Sequence, residues 1–394
     1  MEKTLPSLAS LLLLAGMLPA QESAQELSRR IDQLAQQIND LSLGETGNKG
    51  DLQSMHGLGP AASNIYAVDQ GVSIGGYGEM LFTGESGAND QLDFYRAITY
   101  IGYRFNEDWL FNSEIEWEHV NETAVEFAYL DWMGGSDAVN ARVGHLLVPS
   151  GFINEMHEPT TFWSANRPEM ERQIMPSTWH ANGAGIWGNL SENLSYRLYL
   201  MEGLDAPHDG TDYDAMDSGL RDWRQKGSKA IANSPAVAAR VDWEIDNGLM
   251  IGASMFSGNS GQDEDVTNRE DLPTSITDIH AQYDNGPLRI RTLWASGSIG
   301  RDSGIDETMD GWYVEAGYDL LAGSDSSLMP FVRKGAYDLD SDNASTGSEI
   351  TNLTMGVAWQ PIDEIIFKMD STTNSFADGS ADEDILGVSV GYVF

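Results

Sequence analysis

The chain has 394 residues, among them 41 glycines, and contains no cysteine. Its formal net charge is −39, which argues against nucleic-acid binding because a phosphate backbone requires a basic protein surface. The lack of cysteine excludes thiolate catalysis, cysteine-ligated zinc and iron–sulfur clusters.

The N-terminal 20 residues have the pattern of a secretory signal peptide. Lys3 precedes an apolar run over residues 8–20 that is too short to span a bilayer as a helix, and the run ends on the small residue Ala20. A buried helix of the mature fold is the alternative. We predict that residues 1–20 are removed and that they take no part in the fold.

Residues 21–43 contain an apolar seam with alternating spacings of four and three. Its members are Leu27, Ile31, Leu34, Ile38 and Leu41. The spacing predicts a periplasmic heptad helix, either as a short coiled coil or as one amphipathic helix packed on a larger domain. The glycine-rich stretch that follows, residues 44–70, is predicted to be a linker.

From Gly71 onwards the chain alternates between apolar and polar residues. In the clearest segment, Trp109, Phe111, Ile115 and Trp117 share one face while Asn112, Glu114, Glu116 and Glu118 share the other. The same division recurs in about 16 segments of roughly ten residues, which is the signature of a transmembrane β-barrel. Short turns alternate with long polar loops, as expected of such a barrel. We therefore predict an all-β fold, a transmembrane antiparallel β-barrel of about 16 strands over residues 71–394.

The last segment also fits a barrel. Leu386, Val388, Val390, Tyr392 and Phe394 alternate towards one face, and this end resembles the C-terminal assembly signature of outer-membrane proteins. Tryptophans and tyrosines near segment ends fit the interfacial girdles of such barrels. The last strand is expected to pair with the first, about Val72 to Phe82, so that no strand edge is left unpaired.

The chain resembles the family of phosphate-selective porins O and P. The resemblance lies in residues 71–79 (GVSIGGYGE), 126–131 (EFAYLD), 143–144 (VG), 149–159 (PSGFINEMHEP), 166–168 (NRP), 174–179 (IMPSTW) and 224–229 (RQKGSK). It implies a 16-stranded pore that admits small solutes passively, in the outer membrane of a Gram-negative bacterium, and a homotrimer by likeness to porins. Characterised phosphate porins line their pore with basic residues, and this chain is poor in lysine. We therefore do not infer from the resemblance that phosphate is the substrate.

The long loop over residues 148–178 is predicted to fold into the barrel and to form the pore constriction. In general porins the corresponding loop sets the narrowest point, and charges of both signs there filter solutes by size and charge. The predicted constriction residues are Glu155, His157, Glu158, Arg167, Glu171 and Arg172. The alternative is that these side chains hold the loop to the wall through buried ion pairs.

Charged residues on the polar face of the strands are predicted to line the pore. They are Arg96, Arg104, Arg142, Arg197, Arg240, Arg289, Arg291, Glu114, Glu116 and Glu126. The arginines could form a path for anions, or the wall carboxylates could neutralise them, which we favour. The basic cluster Arg221, Arg224, Lys226 and Lys229 could attract anions or pair with aspartates of its own loop.

Catalysis is not expected, because neither a metalloprotease HExxH spacing nor a serine elbow motif is present. No cofactor is predicted. Acidic loop segments at 263–265, 338–342 and 382–384 could hold Ca²⁺ or bridge to lipopolysaccharide, although no EF-hand spacing is present.

The sequence thus predicts an outer-membrane porin, a passive diffusion channel for small hydrophilic solutes or ions. Its partners would be outer-membrane lipid, lipopolysaccharide and further copies of the chain. The acid excess favours a weak preference for cations, whereas the family resemblance favours anions such as phosphate. The alternative is a structural or surface-binding barrel, tethered to a periplasmic partner through the N-terminal helix.

Overall fold

The structure is a computed structural model that describes residues 29–30, 53–206, 219–262, 271–301, 306–343 and 347–394. The predicted signal peptide, most of the predicted heptad helix and the tips of several loops lie outside these residues. The chain divides into two compact units, Met1–Glu45 and Thr46–Phe394, and every strand found in the described residues belongs to the second unit. No helix within the described ranges is long and apolar enough to cross a membrane.

Residues 71–393 form a closed antiparallel barrel of 16 strands in which each strand pairs with its neighbours in the chain. The strands are β1 Gly71–Glu85, β2 Gln91–Arg104, β3 Trp109–Glu118, β4 Glu122–Ser136, β5 Val139–Leu147, β6 His180–Ser191, β7 Leu194–Met201, β8 Ala236–Ile245, β9 Leu249–Asn259, β10 Pro273–Asn285, β11 Leu288–Ile299, β12 Glu307–Tyr318, β13 Ser327–Asp338, β14 Ile350–Ile362, β15 Ile365–Phe376 and β16 Glu383–Val393. The predicted fold class and strand number are confirmed.

The alternation of the sequence becomes an outward and an inward face. On β14, Leu353, Met355 and Val357 are exposed on the outside, while Asn352 and Thr354, which alternate with them, are buried. Large apolar side chains are exposed outwards on the other strands as well. An apolar outer belt with polar residues inside is typical of barrels whose outer face contacts lipid.

The barrel closes where β1 pairs with β16, as the sequence predicts. Just beyond β16, the backbone N–H of Phe394 donates to the Gly76 carbonyl, and the Gly76 N–H donates to the Phe394 carbonyl, each over 2.9 Å. These bonds extend the ladder to the last residue. Closure removes the free edges that would otherwise expose unpaired backbone groups.

The connections separate the two ends of the barrel, here called the turn end and the loop end. Short turns such as residues 105–108, 192–193 and 246–248 lie at the turn end, and the longer segments join strands at the loop end. Residues 148–179 leave β5 at the loop end and fold into the lumen. They contain a 3-10 helix, Pro159–Thr161, and one short α-helix, α1, Glu169–Gln173.

The apolar core lies inside the barrel, between residues 148–179 and the inner wall. Residues of this loop such as Met170 and Ile174 belong to the same buried cluster as the wall residues Phe256 and Tyr313. Burial of this apolar surface favours the inward position of the loop.

Candidate functional site: the barrel lumen

Residues 53–70 lie inside the barrel near its turn end; we call them the N-terminal segment. They include a 3-10 helix, Ala62–Ala67, that packs on β1, β2 and β3. Ile65 is buried against Gly102, where an added Cβ would lie 2.7 Å from the Ile65 Cγ1. Glycine at this point of the wall therefore permits the close approach. The sequence predicts a linker here because glycines and a proline recur through residues 44–60.

Glu158 joins the N-terminal segment to residues 148–179, here called the inward loop. Its carboxylate accepts the backbone N–H of Ala61 over 3.0 Å and of Ala62 over 2.9 Å. Burial raises the pKa of Glu158 to about 7, although these two bonds oppose the rise. At Gly59 an added Cβ would lie 2.5 Å from the Glu158 carboxyl carbon, so a larger residue would separate the segment from the loop.

The loop is held in shape by Glu171 and Asn154. Glu171 accepts the backbone N–H of Phe152 and of Ile153 over 2.9 and 2.8 Å, and the Tyr313 hydroxyl on β12 donates to it over 2.6 Å. Asn154 donates to the carbonyls of residues 148 and 179, the two ends of the loop, over 2.7 and 2.8 Å. Sequence reasoning missed Asn154, because an asparagine carries no signal of such a role before the fold is known.

The six predicted constriction residues divide into two groups. Glu155, His157, Glu158 and Glu171 are buried and bound to the wall or to neighbouring backbone. Arg167 is partly buried, and Arg172 is exposed and pairs with Glu169 over 3.3 Å. The contacts of the four buried residues are of the kind that the alternative prediction describes, in which these side chains hold the loop to the wall. A role in filtering solutes stays a prediction for all six.

Arg142 on β5 forms one buried ion pair of the inner wall. Its Nε and Nη2 donate to the two carboxylate oxygens of Asp131 over 2.7 and 2.9 Å, and the guanidinium lies over the Tyr129 ring at 4.1 Å. The Tyr66 hydroxyl of the N-terminal segment donates to Asp131 over 2.7 Å. This group thus couples the segment to the wall. Asp131 and Tyr66 were not among the predicted site residues.

A second network joins Arg197 on β7 and Arg240 on β8. Both donate to Asp242 Oδ2, over 2.9 and 2.8 Å. Glu155 of the inward loop lies 3.1 Å from the Arg197 Nε, and burial raises the pKa of Glu155 despite its two arginine neighbours. His280 contacts the same carboxylate through Nε2 over 2.9 Å. The carboxylates thus neutralise these arginines, as we favoured from the sequence.

The remaining predicted pore-lining residues of the first four strands are also engaged in contacts. Arg96 is fully buried, 3.7 Å from Glu79 and 3.9 Å from Glu116. Arg104 donates to the carbonyls of Tyr66 and Glu107 at the turn end. Glu114 and Glu126 contact His157.

A cavity of about 870 Å³ opens at the turn end of the lumen. Its charged lining comprises Arg197, Arg240, Arg289, Arg291, Glu192, Asp242, Glu244 and Asp284, and residues 54–58 form part of its wall. Arg289 pairs with Asp284 over 3.3 Å. Arg291 instead donates to the Gln282 Oε1 over 2.9 Å and lies 5.6 Å from the Phe152 and Trp163 rings. Among the described residues, it has no carboxylate partner.

The basic cluster of the loop between β7 and β8 binds the inward loop. Arg221 donates to the Ser177 carbonyl over 2.6 Å, and Arg224 donates to the carbonyls of Ser177 and Thr178 over 2.9 and 2.8 Å. Most aspartates suggested as partners lie in residues 207–218, outside the described ranges. The two arginines therefore fasten the C-terminal end of the inward loop.

No family model matches the chain. A protein from Aquifex aeolicus (strain VF5), described as uncharacterized, is 33% identical over 371 residues, which cover 86% of this chain and 83% of that protein. The specific resemblance to phosphate-selective porins O and P stays a prediction.

Solved porin structures share the fold at low sequence identity. The anion-selective porin from Comamonas acidovorans has a TM-score of 0.57 at 11% identity, covering 82% of this chain and 99% of that one. OmpT of Vibrio cholerae in its trimer form has a TM-score of 0.55 at 11% identity, with coverages of 82% and 99%. The outer membrane channel DcaP of Acinetobacter baumannii has a TM-score of 0.55 at 11% identity, with coverages of 82% and 97%.

These likenesses agree with the closed barrel of 16 strands and make it a porin-type fold. At the level of sequence, the chain belongs to the same protein family as the Aquifex aeolicus protein.

Proposed function

We propose that the protein is an outer-membrane porin, a channel through which small hydrophilic solutes or ions diffuse passively. The observation that carries the proposal is the closed barrel of 16 strands with an apolar outer face and a charged cavity of about 870 Å³ at one end of its lumen. An apolar exterior suits a bilayer, and a polar interior suits dissolved solutes. The outer-membrane proteins that share the fold support this location.

The proposal is tested by adding the purified mature chain to a planar lipid bilayer. Ohmic single-channel current steps are expected. Because the chain has no cysteine, a single thiol can then locate the conducting path. A charged thiol reagent should reduce the conductance of Ser195→Cys, whose side chain lines the cavity. It should leave Thr277→Cys, on the outward face of β10, unchanged.

A folded barrel without conductance would contradict the proposal. The lumen contains both the inward loop and the N-terminal segment, so that result would favour the structural barrel considered from the sequence. Folding is checked independently by the altered migration of unheated barrels in detergent gels.

For selectivity, we propose a weak preference for cations. The net charge of −39 concentrates cations near the protein, while the arginines of the wall are largely paired with carboxylates. The reversal potential in a potassium chloride gradient measures this preference. Clear selectivity for phosphate would instead support the resemblance to phosphate-selective porins.

We also propose a homotrimer, as for the trimer form of OmpT with the same fold. Cross-linking in detergent should then give a species of three chains, and current steps should close in groups of three. A monomeric species with single steps would contradict this proposal.

A further inference from the structure

Three side chains in the lumen direct one potential ligand atom each towards a common point. The His157 Nε2 lies 3.2 Å from Glu114 Oε1 and 3.1 Å from Glu126 Oε2. All three residues are buried. His157 belongs to the inward loop, whereas the glutamates belong to the adjacent strands β3 and β4.

The other ring nitrogen of His157 is already engaged. Its Nδ1 lies 2.9 Å from the Asn154 carbonyl oxygen, which can only accept, so Nδ1 carries the proton of this bond. In the neutral ring Nε2 then presents a lone pair to the two carboxylates. A backbone carbonyl that fixes the tautomer in this way is the usual second contact of a metal-binding histidine.

The spacing of the three atoms fits a metal ion of small radius. Nitrogen and oxygen ligands of zinc lie about 2.0–2.2 Å from the ion, and a tetrahedron of that size has edges of about 3.4 Å. The two nitrogen–oxygen distances, 3.2 and 3.1 Å, are close to such edges. All three ligand atoms lie within 4.8 Å of one another.

The cluster also holds buried oxygens without hydrogen bonds. Glu114 Oε2 and Glu116 Oε1 are buried without a hydrogen-bond partner, and Glu126 Oε2 is buried with the His157 Nε2 3.1 Å away. Glu116 adds a third buried carboxylate near them, and the nearby Arg96 guanidinium makes no hydrogen bond. A buried carboxylate oxygen that no hydrogen-bond donor reaches is free to bind a cation.

The backbone is shaped to direct Glu126 into the cluster. The register between β3 and β4 shifts after Glu114, which pairs with Phe127, whereas Ile115 pairs with Val125. Glu126 is the extra residue of a β-bulge, so it and Phe127 are both buried although they are consecutive. Bulges commonly redirect a side chain at functional sites.

From these observations we infer that Glu114, Glu126 and His157 bind one divalent transition-metal ion, with zinc as the best fit. One imidazole and two carboxylates are ligands that zinc accepts, and a fourth position remains for a further oxygen. Because His157 lies on the loop and the glutamates on the wall, the ion would fasten the inward loop to β3 and β4.

The competing arrangement is an imidazolium without a metal. Burial opposes the charged ring, but Glu114 and Glu126 outweigh burial and raise the pKa of His157 to about 10. This arrangement neutralises one charge and leaves Glu114 Oε2 without a hydrogen bond. The two arrangements differ in metal content, which can be measured directly.

The test uses the full mature chain without a histidine tag, isolated without chelators from cells grown with added zinc. Elemental analysis should find about one zinc per chain, and His157→Gln and Glu126→Gln should each lower this at least about ten-fold. The matched control is His280→Gln, a buried histidine bound by Asp242 and Asp278, which should retain the zinc.

X-ray absorption of the zinc in the unmutated chain tests the site even where a variant does not fold. One imidazole nitrogen with oxygen ligands is expected. Two imidazoles would assign the zinc to the neighbouring pair His145 and His180, whose ring nitrogens lie 2.6 Å apart, and would overturn the proposal. Absence of zinc from the folded chain, or retention of zinc in both variants, would overturn it as well.

Discussion

At the scale of single residues, Arg291 differs from the other arginines of the turn-end cavity. Arg197 and Arg240 share Asp242, and Arg289 pairs with Asp284. Arg291 has a glutamine and two aromatic rings as its neighbours and no carboxylate partner among the described residues. Because no carboxylate of the described residues forms an ion pair with it, we expect its positive charge to act on a passing ion more directly than those of the paired arginines.

We therefore expect Arg291→Gln to increase the preference for cations. Removing an uncompensated positive charge should raise the cation-to-anion permeability ratio about two-fold or more, since charges lining a narrow passage set its ion selectivity. The reversal potential in a salt gradient measures the ratio. Lys334→Gln removes the same charge from the outward face of β13 and should leave the ratio unchanged. Equal ratios for Arg291→Gln and the unmutated chain would contradict this role.

Glu158 is expected to be needed for the position of the N-terminal segment. In Glu158→Ala the buried N–H groups of Ala61 and Ala62 lose their acceptor, which should weaken docking of the segment by about 2–4 kcal/mol. Chymotrypsin cleavage at the buried residues Leu58 and Tyr66 should then become faster. The control is Glu169→Ala, which removes a partly exposed ion pair. Chymotrypsin should cleave this variant as slowly as it cleaves the unmutated chain. Slow cleavage of both variants would show that other contacts are enough to hold the N-terminal segment in place without Glu158.

At the scale of elements, the contribution of His56 to docking of the N-terminal segment is expected to weaken in acid. Burial and the nearby Arg142 lower the pKa of His56 from 6.5 to about 4, against the opposing effect of Asp131. In the released segment, His56 would have its ordinary pKa of 6.5 and would bind a proton more readily. The contribution of neutral His56 to docking is therefore complete above about pH 6.5 and is lost as the pH falls towards 4.

Hydrogen exchange of the amides of residues 55–68, corrected for the intrinsic effect of pH, measures this release. The ratio of protection at pH 4 to protection at pH 7 should be several-fold lower in the unmutated chain than in His56→Asn, which cannot be protonated. Glu158, whose raised pKa favours docking as the pH falls, acts equally in both chains. The same loss of protection in both chains would assign the effect to another group.

The sequence predicted the strands well and the contents of the lumen less well. Alternation along β3 or β14 assigns each side chain to a face because the period of a strand is two. The bulge at Glu126 interrupts that period, and no local signal in the sequence marks it. The N-terminal segment was predicted to be a linker from its glycines. Its packing inside the barrel could not be predicted, because it depends on Gly102 and Glu158, which are distant in sequence.

The sequence predicted that the charges of the inner wall would be paired, but not which residues pair with each other. The excess of acidic wall residues indicated that the arginines would be neutralised, and the pairs of Arg142 and Arg240 agree with that expectation. Which carboxylate each arginine contacts depends on strand register and on the inward loop. Both are set by long-range contacts rather than by neighbouring residues.

At the scale of the whole molecule, the barrel and its contents have separate roles. The wall provides a closed ladder and an apolar exterior, and the inward loop and the N-terminal segment occupy much of the lumen. The space left at the turn end is bounded partly by residues 54–58 of that segment. The size of the passage thus depends on a part of the chain that is not in the barrel wall.

Deleting residues 21–70 should therefore widen the channel. The segment contributes no strand to the barrel, and the narrowest section of a pore limits its current, so single-channel conductance should rise by a factor of about two or more. The matched control is deletion of residues 21–43, which leaves the lumen segment in place and should leave conductance unchanged. Both barrels must first be shown to be folded in detergent gels. If neither deletion changes the conductance, the inward loop alone sets the narrowest section. Equal increases in both deletions would assign the effect to residues 21–43 instead.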